Sequence, residues 1–139
     1  MTQVFVDTSY VIALLNRSDP HHAAAVDWRE KLQSEPWEQI TTTAVLLELG
    51  DGFAAKGRWD LLSPVLRAMC DDQRVSVVSV DVPLIHRARE LRDSRVDKDW
   101  GLTDCVSFVV MESQGMRDAL TADRHFEQAG YRRLLVTTT

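Results

Sequence analysis

Glycine is missing from the place where a nucleotide binder would need it most. Of the six glycines in the chain, none precedes Gly50. The first strand-to-helix turn therefore lacks the Gly-rich loop that lets backbone N–H groups approach a pyrophosphate, which excludes a dinucleotide-binding fold of that kind. Cysteine is equally sparse. Cys70 and Cys105 lie far apart inside apolar segments, with no CxxC or Cys/His spacing, so neither a disulfide framework nor a zinc site is indicated and reduced, packed thiols are expected. No run of about 18 uncharged apolar residues occurs, and the N-terminus enters VFVDTS without a basic leader or an apolar signal core. A soluble, unprocessed, cytoplasmic chain with no membrane partner is the expectation. Positive charge is also in deficit, with 16 Lys and Arg against 21 Asp and Glu and a net charge of -5. That excludes a surface that is basic all over, so any contact with nucleic acid must be local.

What the chain does contain is 139 residues, 45% of them hydrophobic, which suits one domain with an ordinary core. Apolar runs of strand character fall at Val4–Val6, Ile40–Thr42, Val75–Val80, Ala119–Thr121 and Leu134–Val136. Between them lie segments with helical signals: Ser9–Leu15, His21–Leu32, Ala44–Ala55 behind a Thr42 or Thr43 cap, Arg58–Cys70, a helix opened by Asp81 and Pro83 that runs to about Leu91, and Asp104–Ser113 with Thr103 as cap and Gly115 as stop. CVSFVVM at 105–111 is β-branched enough for a buried strand, but its length and flanking caps predict helix. The alternation predicts an α/β fold with one mainly parallel sheet and helices on both faces.

In such a sheet, ligands lie beyond the carboxyl ends of the strands. Asp7 follows the first apolar run and Asp123 the fourth. Asp104 opens a helix that is apolar nearly all round, and Glu48 lies beside the stripe Val45, Leu49, Phe53 rather than on the far face. Each acid alone has an ordinary explanation as a turn former, a first-turn acid or a rim residue. Together, four carboxylates delivered to one crevice repel unless a cation neutralises them, and oxygen-liganded Mg²⁺ or Mn²⁺ fits that role.

VDTS, TTTAVLLELG, DWGLTDCVSFVVM and ALTADRHFEQAGY, in this order and spacing, resemble the PIN-domain ribonucleases, specifically the VapC-like toxins of toxin–antitoxin pairs. The resemblance spans nearly the whole chain. It implies a three-layer α/β/α sandwich forming a single PIN-like nuclease domain over residues 1–139, with one or two Mg²⁺ or Mn²⁺ ions on Asp7, Glu48, Asp104 and Asp123. It further implies metal-dependent endoribonuclease activity on single-stranded RNA and a cognate antitoxin that sends a basic side chain into the acidic crevice. Thr8 or Ser9 matches the hydroxyl position after the first acid, and Thr121 the threonine before the last. Ser9 has no evident His base and is not expected to be a nucleophile.

Arg124, Lys56 and Arg58 are candidate phosphate contacts near the crevice. The mixed-charge stretch His86–Asp99 reads as a solvated surface, His21, His22, His86 and His125 as surface or capping residues, and Trp100 and Trp28 as packing. Apolar residues on amphipathic helices, among them Trp28, Trp37 and Trp59, offer a possible homodimer face. An aspartyl phosphatase would want a second Asp at position 9, where Ser stands. The rival to a nuclease is a non-hydrolytic PIN-fold module that binds RNA or protein and uses the acids for a structural metal.

Overall fold

The computed structural model describes residues 2–136. Strand β1 (Gln3–Val6) leads into helices α1 (Thr8–Leu15) and α2 (His22–Ser34), and β2 (Glu38–Thr42) into α3 (Thr43–Ala55) and α4 (Trp59–Asp71). Then come β3 (Val75–Val78), α5 (Val82–Ser94), α6 (Leu102–Ser113), β4 (Asp118–Leu120), α7 (Arg124–Gln128) and β5 (Arg132–Arg133). The strands form one sheet in the order β3-β2-β1-β4-β5, and every pairing among the described residues is parallel.

The apolar run of β1 marks the centre of that sheet. Val4, Phe5 and Val6 are sealed from solvent on both faces, as a parallel strand covered by two helical layers requires. Phe5 pairs with Ile40 of β2 on one side and with Ala119 of β4 on the other. From β1 the chain steps outward through β2 to β3, then returns to β4 on the opposite side of β1. Right-handed crossovers put α1 to α4 on one face and α5 to α7 on the other. The helices pack α1 on α2 and α3, α3 on α4, α5 on α6, and α6 on α7, and α3 also meets α6. The result is a three-layer α/β/α sandwich whose switch point lies between β1 and β4, the crevice where Asp7 and Asp123 emerge.

Local chemistry fixes the helix ends. Thr42 caps α3 by accepting from the Val45 N–H at 3.2 Å, and Asp81 caps α5 by accepting from the Leu84 N–H at 2.9 Å. CVSFVVM is helical, and Cys105, Val106, Ser107, Phe108, Val110 and Met111 are all buried. Helix α6 stops at Gly115, whose φ of 65° is a left-handed conformation that suits glycine.

Several boundaries differ from expectation. Gly101, not Thr103, is the residue before α6, so Asp104 is the third residue of the helix, still in its first turn. The last strand is Arg132–Arg133 rather than Leu134–Val136. Beyond it, the N–H groups of Leu134 and Leu135 still bond the carbonyls of Ala119 and Thr121, at 3.0 and 3.1 Å, so Leu135 is buried without belonging to a regular ladder. Cys105 is buried but Cys70 is exposed, because the latter lies on the outer side of the two-faced helix α4. Trp28 and Trp37 do not form an outer face. They are half-buried and pack edge to face on each other at 5.5 Å, leaving Trp59 the exposed one of the three tryptophans. Trp100 is packing, as expected, with its ring edge-on to Phe108 at 5.0 Å. Arg89 with Asp93, and Arg95 and Lys98 with Asp97, make exposed ion pairs in the mixed-charge stretch.

Candidate active site

Asp7 leaves the carboxyl end of β1 as the residue before α1, and it is 6% exposed. Two hydroxyls serve the same carboxylate oxygen. Thr121 Oγ1 donates to Asp7 Oδ2 at 2.7 Å and Ser9 Oγ donates to it at 3.0 Å. Each hydroxyl is itself fixed by a backbone donor, Ser9 Oγ accepting from Ala122 N–H at 2.8 Å and Thr121 Oγ1 from Asp123 N–H at 3.0 Å. A hydroxyl has a single proton. With both protons committed to Asp7, the 3.0 Å approach of the two hydroxyl oxygens is a contact rather than a further bond. Ser9 is thereby an orienting group whose proton points at an acid, which accords with its lack of a base for nucleophilic work. Thr8, also buried, meets Asp7 through its backbone N–H.

Burial pushes the Asp7 carboxyl up from 3.8 to about 6, because a charged group loses hydration there. The Thr121 hydroxyl, the Thr8 N–H and the Ser9 hydroxyl oppose this by favouring the anion, while the nearby charge of Asp104 adds to the rise. A carboxylate so placed wants a cation.

Asp104, on the first turn of α6, and Asp123, the residue before α7, complete the mouth of the crevice. Asp123 Oδ1 caps α7 by accepting from the His125 N–H at 2.9 Å. Asp104 Oδ2 faces the backbone N–H of Gly101 at 3.3 Å and the ring Nδ1 of His125 at 2.9 Å. Asp104, Asp123 and His125 offer three donor atoms within 4.8 Å of one another. Two hard oxygen ligands with Asp7 behind them suit a small divalent cation. The loop carrying Asp123 is held by Arg133 of β5, which donates to the Ala122 carbonyl at 2.8 Å and pairs with Glu127 at 2.9 Å.

Of the four acids singled out in the sequence, the structure thus draws Asp7, Asp104 and Asp123 toward one crevice. Glu48 stands apart. It lines a cavity of 400 Å³ together with Leu49 and Phe53, which is the expected place beside that stripe, with its carboxylate toward solvent. Helix α3, which carries it, packs against α1 and also meets α6, the helix of Asp104, and an unneutralised carboxylate prefers water. Arg17, Lys56 and Arg58 line the same cavity over an apolar floor that includes Ile12 and Leu61. Arg124 is exposed at the first residue of α7.

Sequence reasoning missed His125, which belongs to the crevice rather than the open surface. The signal was available, because an Asp that caps a helix brackets the residue two places on, and ALTADRH puts a histidine there. The other histidines do less. His86 is exposed, and His22 Nδ1 meets the Ala13 carbonyl at 2.8 Å.

Three comparisons bear on this arrangement. The PIN-domain family model matches residues 4–130. The 23S rRNA-specific endonuclease VapC20 from two Mycobacterium tuberculosis strains is 29% identical over 136 residues, spanning 92% of this chain and 95% of the relative. The crystal structure of Mycobacterium tuberculosis VapC20, described as a sarcin-ricin loop cleaving toxin, superposes with a TM-score of 0.81 at 27% identity, covering 93% of this chain and 96% of the other. With an acid-lined crevice at the switch point of a parallel sheet and a match from the first strand to the last helix, the chain belongs to the PIN-domain family.

Proposed function

We propose that the chain is a divalent-metal-dependent endoribonuclease that hydrolyses phosphodiester bonds in RNA and is the toxin of a toxin–antitoxin pair, residues 1–139 acting as one nuclease domain. The observation that carries this reading is the convergence of Asp7, Asp104 and Asp123 on one crevice, with Asp7 buried and its hydroxyl partners already aligned. Asp7, Asp104 and Asp123 would hold Mg²⁺ or Mn²⁺, and Glu48 would join them by turning inward from the cavity rim. When bound, the metal supplies activation of water and neutralisation of charge on the phosphate. The protein's own residues do the rest. Thr121 and Ser9 hold the Asp7 carboxylate in one orientation, and Thr8 adds its N–H. No side chain needs to form a bond to RNA.

A mixed RNA pool incubated with the protein and Mg²⁺ or Mn²⁺ is expected to yield discrete cuts that vanish with EDTA. Cleavage undiminished by EDTA overturns metal dependence, and metal-dependent melting without product supports the non-hydrolytic module instead. The names of the relatives suggest structured ribosomal RNA as the first substrate to try. An antitoxin with a basic side chain aimed at the crevice would silence the site by pairing with its acids. Among the described residues no helix is long and apolar enough to cross a membrane; a cytoplasmic encounter with RNA is part of this reading. A homodimer through the exposed face around Trp59 is a further part of this reading.

Lys56, Arg58 and Arg124 are proposed phosphate contacts, with Arg17 beside them in the cavity. Replacing Lys56 or Arg58 by Ala is expected to lower the magnitude of the slope of log affinity against log salt by about 0.7 each for single-stranded RNA. Binding measured on the Asp104→Asn background from 50 to 300 mM salt, about the usual range for this effect, checks it. An unchanged slope places them outside the RNA path.

A further inference from the structure

We propose that His125 is a positioning residue of the acidic crevice, a clamp that ties Asp104 of α6 to Asp123 before α7 so that the two carboxylates meet a divalent cation at a fixed separation. The proposal rests on the metal-dependent reading above.

The clamp has two arms. The ring Nδ1 stands 2.9 Å from Asp104 Oδ2 and 3.5 Å from Asp123 Oδ1, and the main-chain N–H of the same residue donates to Asp123 Oδ1 at 2.9 Å. An ionised carboxylate only accepts, so the ring nitrogen facing it carries the hydrogen and has no lone pair to offer a metal. Nδ1 is thus a clamp and not a ligand, and the ring's remaining lone pair is on Nε2. The ring is only 26% exposed, between carboxyl side chains that are 20% and 35% exposed.

The backbone beneath the ring is anchored independently. The next residue, Phe126, is sealed in the core, where its ring packs on Phe108 at 5.0 Å and on Phe5 at 6.2 Å. Phe108 lies four residues after Asp104, on the same side of α6, and Phe5 lies two before Asp7. One buried aromatic cluster thus registers the elements that carry all three acids, and His125 extends that registration to the carboxylate tips. Groups that orient metal ligands in this way typically change metal affinity by about 10–100-fold when removed.

The test is calorimetric titration of Mg²⁺ and of Mn²⁺, without RNA, into wild type, His125→Ala, His125→Asn and His125→Gln. Melting in EDTA is run alongside to confirm that each variant folds. Asn places its amide N–H where Nδ1 lies, two bonds from Cβ, whereas Gln places it near Nε2. A clamp predicts that His125→Ala weakens both metals by a similar factor, about tenfold or more. It also predicts that His125→Asn restores most of the affinity and His125→Gln does not. In cleavage assays the loss should appear in the metal concentration for half-activity, with the saturated rate largely kept. Unchanged metal affinity in a folded His125→Ala overturns the proposal. So does a loss confined to Mn²⁺ that Asn fails to restore, since that marks a nitrogen ligand. If wild type binds neither metal, the metal-dependent reading falls and the clamp with it; if wild type binds and His125→Ala matches it, only the clamp falls.

Discussion

Asp104→Asn is expected to abolish Mg²⁺- and Mn²⁺-dependent RNA cleavage, by about a thousandfold or more, while the protein still folds and melts cooperatively. The magnitude follows from the role. A carboxylate that holds the cation also sets how strongly that cation stabilises charge on the reacting phosphate, and this is worth several kcal/mol, each 1.36 of which is about tenfold in rate. The fold should survive because Asp104 is not part of the core. Its Oδ2 faces one backbone N–H at 3.3 Å and the His125 ring at 2.9 Å, and an amide oxygen can accept both. The neighbours Cys105, Val106 and Phe108 keep α6 buried whatever stands at position 104. Cleavage by wild type and Asp104→Asn on one RNA, with circular dichroism and melting on the same preparations, checks both halves. Full activity in a folded Asp104→Asn removes the acidic crevice from the chemistry.

The elements most readable in the sequence were those whose local and tertiary signals agree. The run VFV is a central parallel strand because all three residues find apolar partners on both faces, so its end on Asp7 marked the crevice. CVSFVVM could have been strand by composition, but helix capping outweighs β-branching when a left-handed Gly115 closes the segment. Where signals were short or set by tertiary contact, the sequence said less. Helix α7 has five residues, too few to show a period, so His125 was read as a surface or capping residue although the capping Asp123 fixes it in the crevice two positions on. Strand β5 reads Arg-Arg because it lies at the sheet edge, and the buried Leu135 beyond it misplaced the expected strand. Glu48 was readable as a candidate beside the apolar stripe, since helical phase says which side of α3 it occupies; that α3 also meets α6, the helix of Asp104, is a tertiary contact no local signal carries.

Asp7→Asn is expected to gain stability over wild type as pH rises, when metal is withheld. In the folded, metal-free protein the Asp7 carboxyl titrates at about 6 against 3.8 unfolded, chiefly because burial strips its hydration. A raised folded value means that the folded state holds the proton more tightly. The stabilising proton is therefore fully present below 3.8 and is lost as pH climbs through about 6. A shift of this size corresponds to about 3 kcal/mol at 1.36 kcal/mol per unit, with no discount for screening because the side chain is buried. Near pH 4 the folded wild type is protonated at Asp7 and matches Asn in charge, so their difference there reports mainly local hydrogen bonds. From pH 4 to pH 7.5 in EDTA the variant should gain about 2.4 kcal/mol of this on wild type, the unfolded carboxyl being already partly ionised at pH 4, of order 10 °C in melting temperature for a chain of this size. Taking the difference between the two proteins cancels every other titrating group. Added Mn²⁺ or Mg²⁺ should then reverse the order at pH 7.5, since the cation stabilises the ionised carboxylate of wild type and binds the amide poorly. A flat difference across this pH range would mean that the Thr121 and Ser9 hydroxyls fully offset the lost hydration. A stability gain at pH 7.5 that the metal does not reverse would take Asp7 out of the metal site. The buried acid is thus a cost the fold carries in the absence of its cation, and the same 2.7 Å and 3.0 Å hydroxyl bonds that soften the cost hold the carboxylate ready to bind.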